Sequence, residues 1–355
     1  MDYEENAGHE PNDQPFSPPG PAEIKQPPKK KSRWRIFWNI ILVLSILANI
    51  FLFIGLIGTV AVLATGSGDF FATTDGYVEE TLVEGDRSNK IVVIRIEGII
   101  DGELSENVCK QIKAAKDDRA VKALILRTIT PGGMVSSSDQ IYHEVLNFRQ
   151  STGRPVVAFM QTVAASGGYY TSVACDRIVA EPTVITGSIG VIMSHMVLKE
   201  LLEEKLGIAP VVIKSGRKKD WPSMFSETTE EQKEYLAEKL IGPAFERFVE
   251  LVAEGRKEKL SEAEVRKLAD GSIFGAVEAQ ENGLIDDVGY IDDAIATTEK
   301  LARIRNAQVV EYSRPFSLAV LLASQGKSKS VWEIDKNMLQ KMAAPQLLYL
   351  WDAGW

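Results

Sequence analysis

Two glycine-containing turns hold the residues whose types and spacing best suit chemistry. Residues 130–133 read Thr-Pro-Gly-Gly after the apolar run 121–128, and a helical pattern begins directly after them. Glycine amides are not shielded by side chains, so this turn could direct N–H groups at an anion near the start of the helix. The sequence therefore predicts half of an oxyanion hole at this turn.

The second turn, residues 164–170, reads Ala-Ala-Ser-Gly-Gly-Tyr-Tyr and follows the apolar run 155–160. It places Ser166 at a strand-to-helix turn between small neighbours, where the hydroxyl and the next backbone N–H can face one substrate. Together the two turns indicate a serine nucleophile with an oxyanion hole. The alternatives are two purely structural glycine bends or a site for phosphate or CoA.

A serine hydroxyl needs a base to take its proton at neutral pH. The candidates are two histidines and three lysines of one loop: His143, His195, Lys214, Lys218 and Lys219. A lysine accepts a proton only as the neutral amine, which requires its usual pKa of about 10.4 to fall by several units. Residue chemistry alone leaves the base open among these groups.

Alternating strand and helix patterns surround both turns and favour an α/β domain with short crossovers. Apolar runs rich in β-branched residues predict strands at 90–100, 121–128, 155–160, 177–180, 184–193, 211–213 and 309–312. Helical spacing predicts helices at 105–116, 134–148, 167–175, 197–206 and 228–254, and several short helices within 261–301. Each turn thus joins a predicted strand to a predicted helix.

One segment must lie outside such a domain. Residues 36–68 form a run of 33 positions without a charged side chain, which is long enough to span a bilayer. A cleaved signal peptide is the alternative, but its apolar region is shorter and does not follow 35 residues rich in proline and charge. All bases before the run lie between positions 25 and 35, so the positive-inside rule predicts a cytoplasmic N-terminus and an extracytoplasmic domain.

Composition narrows the function classes. The formal net charge of −9 makes nucleic acid a poor partner. Two cysteines and three histidines exclude a disulfide framework and make a metalloenzyme unexpected. We expect a disordered cytoplasmic tail (1–35), a transmembrane helix (36–66), a linker (67–89), one folded catalytic domain (90–315) and a C-terminal extension (316–355).

The C-terminal extension ends in an apolar run, residues 347–351, that reads Leu-Leu-Tyr-Leu-Trp. Because it lies close to a free chain end, we hypothesise that it docks in a groove such as the substrate channel. Burial in the core of the domain is the alternative.

Four motifs, in this order and spacing, resemble the signal peptide peptidase A family of membrane-anchored serine proteases. They are the turn 130–133, Ala-Ser-Gly-Gly-Tyr-Tyr at 165–170, Thr-Gly-Ser-Ile-Gly-Val at 186–191, and Lys-Ser-Gly at 214–216 with Lys219-Asp220. The resemblance covers about residues 90–300 and is to the short, single-repeat form. It implies a Clp protease/crotonase-like α/β fold with repeated ββα units, preceded by one N-terminal transmembrane helix.

Carried over residue by residue, the resemblance implies a Ser-Lys dyad. Ser166 becomes the nucleophile, Lys219 the general base, and Ser188 the residue that orients the lysine. The backbone N–H groups of Gly133, or of Gly132, and of Gly167 form the implied oxyanion hole. The chain departs from the family at Ile129, where the turn usually carries Asn, and in the altered pattern Gly275-Ala276.

The implied reaction is hydrolysis of remnant signal peptides and other apolar peptides through an acyl-enzyme, without a cofactor. Family members form ring-like homo-oligomers at the membrane, in which neighbouring protomers supply the serine and the lysine of one site. An isolated chain would then hold Ser166 and Lys219 too far apart to hydrogen bond. A catalytically impaired, peptide-binding scaffold is the alternative suggested by Ile129, and a crotonase-like acyl-CoA enzyme is a third.

Overall fold

The computed structural model describes residues 33–64, 73–74, 77–313 and 346–351. They belong to two compact units, residues 1–68 and 69–355. The expected disordered tail, residues 1–35, lies outside the described residues except at positions 33–35.

The N-terminal unit is a single apolar helix, α1 (Arg33–Ala64). Its stretch Trp34–Gly58 has 25 residues with a mean hydropathy of 2.9, so by length and composition it could cross a membrane. The expected single N-terminal apolar helix is therefore confirmed. Its orientation in a membrane stays a prediction.

The second unit is built on a mixed sheet and a small three-stranded sheet. In chain order the strands are β1 (Thr73–Thr74), β2 (Tyr77–Val83), β3 (Asp86–Glu97), β4 (Val121–Thr130), β5 (Gly132–Met134), β6 (Val156–Ala165), β7 (Arg177–Ala180), β8 (Ile185–Gly187), β9 (Ile192–Ser194), β10 (Ile273–Gly275), β11 (Asp287–Val288), β12 (Ala307–Ser313) and β13 (Gln346–Leu350).

The main sheet has the order β1-β2-β12-β3-β4-β6-β7-β11. From β12 to β11 every neighbouring pair is parallel, whereas β2 joins β12 antiparallel. The central strands β3, β4 and β6 are nearly continuous apolar runs with both faces buried, as parallel sheets covered by helices require. The expected α/β class is therefore confirmed.

Helices cover both faces of this sheet. The helices of the second unit are α2 (Gly102–Asp117), α3 (Val135–Thr152), α4 (Gly167–Ser172), α5 (Glu230–Leu236), α6 (Gly242–Gly255), α7 (Glu262–Leu268), α8 (Ala276–Glu281) and α9 (Ile291–Ala302), with π-helical turns at Leu201–Lys205 and Ala237–Ile241. The larger core lies under α2, α3, α4 and α6, and a smaller core lies under α9.

Strand β6 changes its neighbour before it ends. Residues 157–160 pair with β7, whereas residues 163–165 pair with β8. Thr162, with φ 58°, lies between the two parts and turns the strand. This change of direction brings the end of β6 beside β8, the strand that carries the Thr-Gly-Ser motif.

Four expectations differ from the structure. Strand β2 lies within the range 67–89 that we expected to be a linker. Its mostly polar residues form a strand because they pair with β12 at the sheet edge. The expected strand 184–193 is divided into β8 and β9, since Gly187 and Ser188 have positive φ between them. Residues 211–213 form no strand because no strand pairs with them, and the expected helix 228–254 is interrupted by the π-helical turn.

Candidate active site

The chain turns sharply at Ser166, between the end of β6 and the first residue of α4. Ser166 has φ 53° and ψ −111°, a conformation that is strained for a residue with a side chain. Its N–H donates to the Gly187 carbonyl at 2.8 Å, and its carbonyl accepts from the Tyr170 N–H at 2.8 Å. These two bonds fix the turn and therefore the direction of the serine side chain.

The hydroxyl of Ser166 is buried and unbonded. The residue is 1% exposed, and its Oγ has no hydrogen-bond partner among the described residues. A buried polar group without a partner is unfavourable by about 1–3 kcal/mol, and Thr128 Oγ1 and Ser138 Oγ share this state. The Ser166 hydroxyl differs from these two because it lies at the strained turn between β6 and α4, where a substrate and a base could supply its partners.

The Thr-Pro-Gly-Gly turn presents the amide of Gly133 rather than that of Gly132. Ile100 donates its N–H to the Gly132 carbonyl at 2.9 Å, and Met134 donates to the Ile100 carbonyl at 2.8 Å. Because consecutive residues of a strand direct their backbone groups to opposite edges, the Gly133 N–H faces away from Ile100 and toward β13. The Gly132 N–H is already bonded, since it donates to Thr130 Oγ1 at 3.0 Å.

The two glycine turns meet in space. A methyl group added at Gly132, which has φ 107°, would lie 2.8 Å from the backbone nitrogen of Gly167. Glycine is therefore required at position 132, because any side chain there would collide with the turn that carries Ser166. The structure thus brings together Ser166, Gly133 and Gly167, which the sequence predicts to share one site.

Thr130 is a supporting residue that the sequence analysis missed. Its buried side chain lies 3.0 Å from the Gly132 nitrogen and 3.2 Å from the Gly132 carbonyl oxygen. It supplies a polar anchor to the turn although Ile129 replaces the usual Asn. The sequence does carry a signal for this role. Thr130 precedes a Pro-Gly-Gly turn, and a hydroxyl side chain two residues before a glycine commonly accepts a hydrogen bond from the glycine amide.

Ser188 lies beside the nucleophile through the backbone. Gly187, its neighbour, pairs with Ala165 across β8 and β6 and accepts the Ser166 N–H. Ser188 has φ 48°, is 7% exposed and donates its N–H to the Ser272 carbonyl at 2.7 Å. The third motif therefore borders the turn of Ser166, as the sequence order suggests.

Lys219 lies in an exposed loop and makes no hydrogen bond to Ser166. Its neighbours are engaged: Lys214 Nζ is 2.7 Å from Asp220 Oδ1, and Lys218 Nζ is 3.9 Å from the ring centre of Tyr235. Within the described residues the ammonium group of Lys219 has no hydrogen bond, ion pair or ring contact. It is thus a cation of this loop without a partner among the described residues.

Neither candidate histidine bonds to Ser166. His143 is exposed on α3, and His195 pairs with Thr228 through Nε2 and Oγ1 at 2.7 Å. Within the described part of the chain, no base is in place at the serine.

A strand from the far end of the chain lies over the site. β13 runs antiparallel between β5 and β9, and its Tyr349 is opposite Gly133. A methyl group at Gly132 would lie 2.0 Å from the Tyr349 carbonyl oxygen, and one at Gly167 would lie 3.1 Å from the same oxygen. The described part of the C-terminal apolar run therefore packs against the two glycine turns, and Tyr349 itself is buried in the larger core.

Comparisons with known proteins agree with these motifs. Residues 148–305 match the model of peptidase family S49. A protein of Enterococcus faecium named "Putative signal peptide peptidase SppA" is 36% identical over 259 residues, 70% of this chain and 74% of that protein. "Protease 4" of Haemophilus influenzae is 34% identical over 63% of this chain, but the match spans only 36% of that longer protein.

A solved structure also matches in part. A mutant ClpP1 of Listeria monocytogenes is 18% identical, with a TM-score of 0.38 over 59% of this chain and 95% of that one. The sequence relationship is the stronger finding, because the Enterococcus protein is matched over nearly three quarters of its length. This chain belongs to peptidase family S49.

Proposed function

We propose that this chain is a membrane-anchored serine endopeptidase that hydrolyses apolar peptides, including remnant signal peptides. The observation that carries the proposal is the Ser166 hydroxyl, buried and unbonded at the junction of two glycine turns. Membership of family S49 supports peptide rather than acyl-CoA chemistry. The apolar helix α1 supports attachment to a membrane.

The reaction begins when Ser166 Oγ attacks the peptide carbonyl carbon and the neutral amine of Lys219 accepts the hydroxyl proton. The N–H groups of Gly133 and Gly167 stabilise the oxyanion, and one such donor is worth about 2.7–4 kcal/mol. Lys219 then returns the proton to the leaving amine. Water then attacks the acyl-enzyme while Lys219 accepts its proton, and the released Ser166 oxygen takes that proton back from Lys219. Ser188 orients the lysine amine in both steps.

We propose that Lys219 acts on the Ser166 of a neighbouring copy. Its ammonium group is free of partners within the described residues, and the segment before it exposes large apolar side chains, Val211 at 85% and Ile213 at 96%. Exposed apolar patches mark interaction surfaces. Packing of a second copy there would remove water from the lysine, which favours the neutral amine that a base must be.

The nucleophile is tested with a fluorophosphonate probe on the full chain in detergent. We expect the probe to label wild type at Ser166 and not to label Ser166→Ala. Absence of label from the wild-type oligomer would instead indicate a peptide-binding scaffold and would refute the proposal.

The shared dyad is tested by mixing two inactive chains. Ser166→Ala and Lys219→Ala should each lose peptide hydrolysis, whereas Lys218→Ala, whose ammonium lies on Tyr235, should keep it. After dissociation and reassembly of an equal mixture, about a quarter of neighbouring pairs carry both native residues, so about a quarter of the activity should return. No recovery would place both residues of the dyad in one chain, and full activity of Lys219→Ala would exclude it as the base.

The short basic segment before α1 supports a cytoplasmic N-terminus with the catalytic unit outside. External protease added to intact spheroplasts should then digest the catalytic unit. Protection of this unit until the membrane is permeabilised would reverse the proposed orientation.

A further inference from the structure

Ser138, near the start of α3, carries a buried hydroxyl that the proposed mechanism leaves unused. The residue is 0% exposed, and its Oγ makes no hydrogen bond to any described residue. It lies four positions after Met134, where β5 ends and α3 begins. Because an unpaired buried hydroxyl lowers the stability of a fold, Ser138 calls for a partner that the folded chain does not supply.

The hydroxyl lies beside the point where the two glycine turns meet. A methyl group added at Gly167 would lie 2.6 Å from Ser138 Oγ and 3.2 Å from the α-carbon of Gly132. The α-carbon that would carry this methyl group is bonded to the Gly167 nitrogen, which is one proposed donor of the oxyanion hole. Ser138 Oγ is therefore in contact with the residue that presents this donor.

The position of Ser138 on α3 directs its side chain toward the same turns. In a helix each bond from Cα to Cβ is tilted toward the N-terminus, so the hydroxyl is directed back toward Gly133 and Met134. The helix has 18 residues, with no acidic side chain in its first turn and no side-chain cap from Met134. Its dipole therefore places partial positive charge at this end, and no carboxylate of that turn offsets it.

Other buried hydroxyls near the turn are in different situations. Ser172, on α4, donates from Oγ to the Gly168 carbonyl at 2.8 Å, the usual bond of a helical serine to the residue four positions before it. Ser138 makes no such bond to Met134. Thr128 Oγ1 is also unpaired, but this side chain lies beside Gly168, since Thr128 Cγ2 is 3.3 Å from a methyl group added there. Ser138 is thus the unpaired hydroxyl that borders Gly167 from α3.

From this geometry we infer that Ser138 is a third donor of the oxyanion hole. Its hydroxyl donates a hydrogen bond to the oxygen of the substrate carbonyl as negative charge develops there, beside the N–H groups of Gly133 and Gly167. The proton of Ser138 stays on its own oxygen, and the nucleophile remains Ser166. The inference rests on the proposed function, because it adds a catalytic residue to the same reaction.

The test compares Ser138→Ala with the matched control Ser137→Ala, a buried serine one position earlier on α3. The full chain in detergent hydrolyses one internally quenched apolar peptide. We expect kcat to fall by about 10-fold to 100-fold in Ser138→Ala with KM within about twofold of wild type, because the bond forms to the charged oxygen of the transition state. Ser137→Ala should keep both constants, and Ser138→Cys, with a weaker donor, should give an intermediate kcat.

Two further readouts separate this role from a structural one. A peptide aldehyde forms an adduct with Ser166 that carries the same oxyanion, so its affinity should fall in Ser138→Ala by the factor lost from kcat. Thermal unfolding should show a melting temperature equal to or above that of wild type, because the substitution removes an unpaired buried polar atom. A hydroxyl that supports the fold would give the opposite shift.

The inference is overturned if Ser138→Ala keeps its kcat, if only KM rises, or if kcat and the melting temperature fall together. Each of these results leaves the proposed function intact, provided that the fluorophosphonate labels Ser166 in wild type. If wild type is neither labelled nor able to cleave the peptide, the proposed function fails and the inference fails with it.

Discussion

Replacing Tyr349 with alanine should separate two roles of the C-terminal strand. If β13 docks reversibly in the catalytic cleft, it competes with substrate, and weakening it should activate the enzyme. If Tyr349 is a permanent part of the core, the same change should only destabilise the fold. Its burial between Tyr170 and Phe248 is compatible with both roles, so the measurement must distinguish a change in affinity from a change in stability.

The structure gives the size of the perturbation. Truncation to alanine removes the burial of an aromatic side chain, two ring contacts and the hydroxyl bond to Ala244, which together amount to about 4 kcal/mol. At 1.4 kcal/mol for each factor of ten, the balance shifts toward the open cleft by roughly 10³. A strand bound at ten to one raises the apparent KM about tenfold, so KM should fall by about this factor and no further.

The assay compares hydrolysis of one apolar peptide by wild type, Tyr349→Ala and Tyr349→Phe, with thermal unfolding measured beside it. Docking predicts a lower KM, an unchanged kcat and a melting temperature within a few degrees of wild type, with Tyr349→Phe shifted less. Deletion of residues 344–355 should reproduce the effect of alanine. The reasoning is refuted if Tyr349→Ala and the deletion leave KM unchanged, or if both lose activity together with several degrees of melting temperature.

Three further predictions concern the support of the site. Gly133→Ala places a methyl group 2.2 Å from the Ile100 carbonyl oxygen and should lower kcat by about 100-fold through the displaced amide, whereas Gly102→Ala, with open space around it, should not. Thr130→Val leaves the Gly132 N–H without its acceptor and should slow fluorophosphonate labelling about tenfold, with recovery in Thr130→Ser. Burial alone would raise the pKa of Asp286, but its bonds to Arg256 outweigh burial and hold the pKa well below the unfolded value of about 3.9. Its stabilisation is therefore complete above about pH 5 and is lost progressively as pH falls below the unfolded pKa toward the lowered pKa of the folded state. Asp286→Asn should lower the free energy of unfolding at neutral pH by about 3–5 kcal/mol, measured by urea titration at pH 7.

The sequence predicted the central strands and the two turns because their signals are local. β3, β4, β6 and β7 are apolar runs bounded by glycine, proline or charge, and their main spans were expected within a few residues. The proximity of Ser166 to the Thr-Pro-Gly-Gly turn also follows, since β4 and β6 are parallel neighbours whose ends lie at one edge of the sheet. Short-range pattern and sheet topology are sufficient for this half of the site.

The remainder of the site depends on contacts that no local pattern contains. β13 pairs with residues more than 150 positions away in sequence. Its apolar sequence is typical of a strand buried in the core and also of a peptide segment bound in a groove. The division of the expected strand 184–193 was missed because positive φ at Ser188, a residue with a side chain, has no clear sequence signal. The loop of Lys219 has no regular structure, so its target could be inferred only from resemblance.

The distribution of these groups explains how one chain can hold a nucleophile without using it. Ser166 and the amides of Gly133 and Gly167 are fixed by backbone hydrogen bonds inside the buried sheet, so they exist as soon as the domain folds. Lys219, in contrast, lies in an exposed loop away from Ser166, and β13 packs against the glycine turns of the site. On our proposal, hydrolysis therefore requires two separate events, the arrival of a second copy with its lysine and the departure of the C-terminal strand. Either event alone leaves the peptide bond intact, which would protect a membrane from an isolated, newly folded protease.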